Sequence, residues 1–180
     1  MTGSVALHTP TRDTPATQPV TSQAFRDVFA QLPAGVTVVT TSGPGAVEPS
    51  GMTASAVCSL SLDPLLVLLC LNNHSNTLAR LKATGSFAIN ILRNDQAHWA
   101  EQFADSRISQ AARFARTPHH HTDGVPVLTE ALAWLTCKVA QTHPGGDHTI
   151  VTGHVRTLGS GHGAGAEPLV WHSRTFRTLA

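Results

Sequence analysis

The stretch Leu65 to Leu71 is seven consecutive apolar residues. It is far too short to cross a membrane, which takes about 20 residues. It suits a strand apolar on both faces and therefore buried. A second run, Val36 to Thr41, is β-branched throughout and also reads as a strand. Segments of this kind recur along the chain, and they do not alternate with helices as βαβ units do. A doubly wound parallel sheet is therefore disfavoured, and a mainly β barrel with short inserted helices is expected. The 180 residues suffice for one domain, with 41% apolar residues for a single core and only 13% charged. A formal net charge of +1 leaves no basic field for nucleic acid.

Residues 1–21 are rich in Thr and Pro without periodicity and are expected to be a disordered leader. The folded domain is expected over 22–180. No basic-then-apolar signal sequence is visible. Cys58, Cys70 and Cys137 lie far apart among apolar residues. They read as buried free thiols in a reducing cytoplasm. Thr21 or Ser22 can cap a helix with Phe25, Val28, Phe29 and Leu32 on one face. Gly51 to Leu60 reads as an extended segment of small residues. Ser75 or Asn76 can cap a helix that runs through Thr84 and stops at Gly85. Ser86 to Leu92 reads as a strand, and Asp95 as the start of a helix bearing Trp99 and Phe103. Arg107 to Gly124 reads as irregular. Ala131 to Gln141 and His148 to Leu158 form a hairpin across Pro144-Gly145-Gly146-Asp147. Leu169 to Trp171 is expected to be the last strand.

The chemistry-bearing motifs are sparse. Gly159 to Ala166 contains a GxGxxA match, but Glu167-Pro168-Leu169-Val170 follows where a helix is needed, so a hairpin loop is the better reading. His119-His120-His121 has no HExxH or paired CxxC beside it and reads as a solvated loop, so no metal site is expected. His143, His148 and His154 straddle the hairpin turn, and His148 sits where a tight turn would hold it at a barrel rim. No GxSxG is present, and Cys58 has no partner base. This poverty of catalytic groups suits a protein whose cofactor does the chemistry. Gly51-Met52-Thr53-Ala54-Ser55-Ala56 lets a flat ligand lie against the backbone, or else serves tight strand packing. The polar cluster Asn72 to Thr77 opens a helix and either binds phosphate or simply caps it.

Several of these segments together resemble the short-chain flavin reductase family. They are Leu32 to Thr41, Gly51 to Ser55, Ser59 to Leu65, Phe87 to Leu92, Gln102-Phe103-Ala104, Gly124 to Leu128, Gly146-Asp147-His148 and Leu169-Val170-Trp171, in that order. The likeness spans about Phe25 to Leu179. It implies a flavin-binding split β-barrel that forms a homodimer. Such a protein reduces FMN or FAD with NADH or NADPH and releases reduced flavin to a partner monooxygenase. Carried over by position, Gly51, Met52, Thr53, Ala54, Ser55 and Ser59 line the isoalloxazine ring. Asn76 and Thr77 hold the phosphate end, while Asn90 and Phe103 lie beside the flavin. His148 positions the nicotinamide. The family often ends in Gly-Arg-Tyr or Gly-Lys-Tyr; here Arg174-Thr175-Phe176 stands instead, so Arg174 and Phe176 are the corresponding contacts. Two other readings share the fold: a non-catalytic flavin-binding protein, and a pyridoxal-phosphate oxidase-like enzyme, which would want more basic phosphate ligands.

Overall fold

The computed structural model describes residues 17, 19–43, 48–161 and 165–179. Most of the expected leader, the Pro44-Gly45 part of one turn and residues 162–164 of the glycine-rich loop lie outside the described residues. The strands are β1 (Ala34–Gly35), β2 (Thr37–Thr41), β3 (Ser50–Ala54), β4 (Val57–Leu62), β5 (Leu65–Asn72), β6 (Ser86–Ile91), β7 (His119–Thr122), β8 (Val125–Leu128), β9 (Ala133–Gly145), β10 (His148–Ser160), β11 (Val170–His172) and β12 (Thr175–Arg177). The helices are α1 (Ser22–Phe29), α2 (Asn76–Thr84), α3 (Ala97–Ala104) and α4 (Gln110–Ala115).

Seven strands make one antiparallel sheet in the order β3-β2-β6-β9-β10-β5-β4. Its two edge strands, β3 and β4, are consecutive in the chain and are joined by Ser55 and Ala56 alone. Two residues span only about 7 Å, so the sheet has to curl until its edges come together. Hydrogen bonds do not pair β3 with β4, and the barrel is split there. The expected mainly β barrel with short helices is what the chain forms.

The barrel interior holds Val39, Val67, Leu69, Leu71, Phe87, Ile89, Cys137 and Val151, with Leu78 and Leu81 of α2 packed among them. A second cluster lies on the other side of β2, where Val36, Val38 and Leu92 meet Trp99 and Phe103 of α3 and Phe114 of α4. Strand β2 thus has core on both faces, and all five of its residues are buried. Ser75 caps α2 through Oγ, and Gly85 ends it in the left-handed region at φ +69°, both where the sequence puts them.

Several local expectations are corrected. Gly51 to Leu60 is two strands, broken at the corner where the chain changes edge. Strand β5 is not buried on both faces: Val67, Leu69 and Leu71 are buried, while Leu66, Leu68 and Cys70 are half-buried. Leu65, Leu62 and Leu60 are 50%, 86% and 47% exposed, and Cys58 is exposed beside them. The apolar face of α1 is likewise exposed in the single chain. Asp95 does not open α3, because both its carboxylate oxygens take the Arg93 guanidinium; α3 begins at Ala97. Arg107 to Gly124 is not irregular but contains α4 and β7. Gly159 and Ser160 belong to β10 rather than to a loop. Beyond the expected last strand, β12 doubles back on β11.

Candidate functional site

Strand β3 has β2 on one side only, so alternate residues present their N–H and C=O to a free edge. The phase is set at Gly51. Its N–H donates to Oε1 of Gln110 at 2.8 Å, and its carbonyl accepts from Nη1 of Arg113 at 2.8 Å. Those partners lie away from β2. With a period of two, the backbone groups of Thr53 point the same way. A Cβ at 51 would stand 2.8 Å from Cε1 of Phe103, so any larger residue forces the packed ring to shift. At this residue the small side chain serves the packing of α3 against β3.

Two cavities adjoin this edge and share Thr53 and Ala104 in their walls. One, of about 450 Å³, is mainly apolar and lies between Thr53 and Ser55 of the edge and Trp171, Arg174 and Phe176 of the C-terminal hairpin. Trp171 and Phe176 pack edge to face with centroids 4.9 Å apart. Positive φ at Ser173 and Arg174 makes the tight turn that brings Arg174 back to the cavity, where it pairs with Asp27 of α1. The other, of about 420 Å³, is polar and opens at the N-terminus of α2; its walls include Met52, Ser75, Asn76, Thr77, Phe103 and Arg113. Each is of the size that takes a small ligand or part of a cofactor.

Of the expected site residues, Met52, Thr53, Ser55, Asn76, Thr77, Phe103, Arg174 and Phe176 come together around these cavities. Others do not. The Ala54 side chain is 8% exposed and belongs to the barrel core, since β3 alternation turns it to the face opposite that of Thr53. Ser59 of β4 is exposed and lines neither cavity. Asn90 is completely buried, and its amide makes three hydrogen bonds to its own chain. Nδ2 donates to the Val38 carbonyl and to Thr40 Oγ1, and Oδ1 accepts from the Leu128 N–H. It ties β2, β6 and β8 together and lines neither cavity.

His148 lines neither cavity. It begins β10 opposite Asn72, half-exposed, with Nδ1 at 2.7 Å from Asp147 Oδ1. The hydrogen bond from His148 lowers the Asp147 carboxyl below its usual range. The turn is laced to the loop entering α2, since the Asn73 N–H donates to the Asp147 carbonyl and its Nδ2 to the Gly146 carbonyl. The rim position expected for His148 is therefore at the α2 end.

Sequence reasoning missed Arg113 and Gln110, because they fall in the stretch read as irregular. Burial pushes the Arg113 guanidinium down from its ordinary pKa, and the charge of Asp105 partly opposes this. Asp105 is itself held down at about 2, chiefly by its hydrogen bond from Arg107.

This fold and this edge-strand site define a flavin-binding split barrel. The flavin reductase like domain family matches residues 29–180, and the chain belongs to that family. A flavin reductase (NADH) of Kitasatospora aureofaciens is 38% identical over 87% of this chain and 81% of its own length. The reductase component of a 4-nitrophenol 4-monooxygenase/4-nitrocatechol 2-monooxygenase from Rhodococcus opacus is 40% identical over 88% of this chain and 82% of its own. Among solved structures, the Streptomyces globisporus NADH:FAD oxidoreductase SgcE6, in complex with NAD and FAD fragments, superposes with a TM-score of 0.83. It is 34% identical and covers 93% of this chain and 98% of its own. Among the described residues no helix is long and apolar enough to cross a membrane.

Proposed function

We propose that this chain is an NADH-dependent flavin reductase that takes FMN or FAD and passes reduced flavin to a partner monooxygenase. The observation that carries the reading is the free edge of β3. It runs between an apolar cavity with two aromatic rings and a polar cavity at a helix N-terminus. That pairing suits a molecule with a flat ring at one end and a phosphate at the other.

Bound flavin would supply the redox chemistry, accepting a hydride from reduced nicotinamide. The chain's own tasks are binding, orientation and exclusion of water. Outward backbone groups at Thr53 offer hydrogen bonds to a polar ring edge, and Ser55 borders the same cavity. Trp171 and Phe176 give the ring an apolar wall, and Arg174 places a cation beside it. Ser75, Asn76 and Thr77 take the phosphate end. His148, fixed by Asp147, orients the nicotinamide carboxamide from the rim. No side-chain acid or base is required, which agrees with the scarcity of such groups.

A second copy of the chain is the proposed cover for the exposed β4–β5 hairpin, where Cys58, Leu60, Leu62 and Leu65 stand exposed. Three unpaired cysteines fit a reducing cytoplasm. The test is NADH and NADPH oxidation with FMN, FAD and riboflavin in turn, with sedimentation of the same sample. Flavin-dependent NADH oxidation by a dimer is expected. Flavin binding without turnover would make the protein a non-catalytic flavin carrier, and turnover of pyridoxine phosphate would make it an oxidase of that cofactor. A fully active monomer at micromolar concentration would refute the dimer.

A further inference from the structure

Strand β3 ends one edge of the sheet, yet Gly51 has a hydrogen-bonding partner on its open side. In an antiparallel ladder two facing residues exchange both an N–H and a C=O. At Gly51 a side chain from α4 stands in for the missing strand. The Gly51 N–H donates to Gln110 Oε1 at 2.8 Å, and Gln110 Nε2 donates back to the Gly51 carbonyl at 3.2 Å. A side-chain amide carries the same donor and acceptor types as a peptide, so Gln110 acts as a strand one residue long.

This stand-in is held in place by its own helix. Gln110 opens α4, and the Ser109 cap before it accepts the Ala112 N–H at 3.2 Å. Arg113 gives the Gly51 carbonyl a further donor at 2.8 Å. Phe114 packs edge to face on Phe103 of α3, with centroids 5.3 Å apart. The absence of a Cβ at residue 51 permits this approach, since that atom would stand 3.2 Å from the Phe114 ring.

Glycine weakens a strand, because its backbone is free and it has no side chain to pack. Here the glycine lies two residues, about 7 Å, from Thr53, which borders the apolar cavity. The Thr53 side chain is drawn off to α3, where Oγ1 donates to the Ala100 carbonyl at 2.6 Å. Its backbone is what the edge offers to a ligand. Gln110 is absent from the walls of that cavity, so any influence on a ring bound there passes through Gly51.

We propose that Gln110 is a positioning residue for the flavin ring: by pairing with Gly51 it fixes the edge of β3 in the extended geometry that presents the Thr53 backbone to the ring. The inference rests on the flavin reading above and names a residue outside the ring cavity on which ring affinity depends.

The probe is lumiflavin, which has the ring but neither ribityl chain nor phosphate, so the polar cavity does not enter. Its fluorescence is titrated with wild type, Gln110→Met and Gln110→Glu at a temperature where circular dichroism shows all three folded. Met keeps the volume and loses both hydrogen bonds; it is expected to weaken lumiflavin binding about 5- to 30-fold. Glu keeps an acceptor for the Gly51 N–H, while Arg113 still serves the carbonyl; it is expected to bind lumiflavin within about threefold of wild type. Wild-type lumiflavin affinity in the Met variant, with only a lowered Tm, would reduce Gln110 to a structural brace and overturn the proposal. Equal weakening by Met and Glu would overturn it too, because the Gly51 pairing would then not be what matters. Failure of the wild type to bind lumiflavin, FMN or FAD is a different result, which overturns the flavin site itself and this inference with it.

Discussion

Replacing Asn90 by Ala separates a structural role from a ligand-binding one. The side chain is fully buried and makes three hydrogen bonds, to the Val38 carbonyl at 2.9 Å, Thr40 Oγ1 at 3.2 Å and the Leu128 N–H at 2.8 Å. Thr40 Oγ1 already donates its proton to the Pro126 carbonyl, so it can only accept from Asn90. Truncation to Ala leaves the Leu128 N–H without its partner in the dry interior, at about 1–3 kcal/mol, and strips the Val38 carbonyl of its second donor while the β2–β6 ladder bond remains. With the lost packing, the total is about 3–5 kcal/mol, at the upper end for a single substitution. For a domain of this size that lowers Tm by about 6–20 °C. Urea unfolding followed by tryptophan fluorescence measures the loss, and FMN titration of the folded variant measures the site. The expected result is a large fall in stability with FMN affinity close to wild type. A variant as stable as wild type that had lost FMN binding would refute the reasoning and return Asn90 to the flavin.

Further outcomes follow from other contacts. Gly51→Ala places a methyl 2.8 Å from the Phe103 ring. It should cost about 1–3 kcal/mol and weaken flavin binding by displacing the β3 edge; unchanged Tm and affinity would show that Phe103 yields freely. His148→Ala should raise KM for NADH and slow hydride transfer, lowering kcat/KM by about 5- to 150-fold with flavin affinity little changed. A lowered Tm with kcat/KM untouched would reduce His148 to a turn-capping role. Burial pushes the Cys137 thiol up to about 12. Its folded form therefore holds its proton where the unfolded thiol, near 9, has lost it, so its contribution to stability falls as pH rises through 9 toward 12. Cys137→Ser lacks that titration and should show a flatter stability profile above pH 9; parallel profiles would contradict the assignment.

The readable parts of this protein are those whose causes lie within a few residues. Ser75 and Gly85 bound α2 because a hydroxyl can satisfy N–H groups two and three positions on, and because glycine adopts positive φ without a Cβ penalty. The β-branched run at Thr37–Thr41 and the hairpin at Gly146-Asp147 are local in the same sense. The order of motifs placed the flavin fold, and with it the polar cavity at α2. What only the tertiary structure decided is which of two faces each residue serves. Thr53 and Ala54 are neighbours in one small-residue run, yet one borders the cavity and the other fills the barrel, because a strand turns successive side chains to opposite sides. Arg113 draws its role from carbonyls at positions 51 and 105, and Asn90 from positions 38, 40 and 128. Partners so distant in the chain leave no local pattern. A buried polar side chain is recognised as ligand-seeking or satisfied only when the folded chain has brought those partners within hydrogen-bond reach, or has left one atom without any.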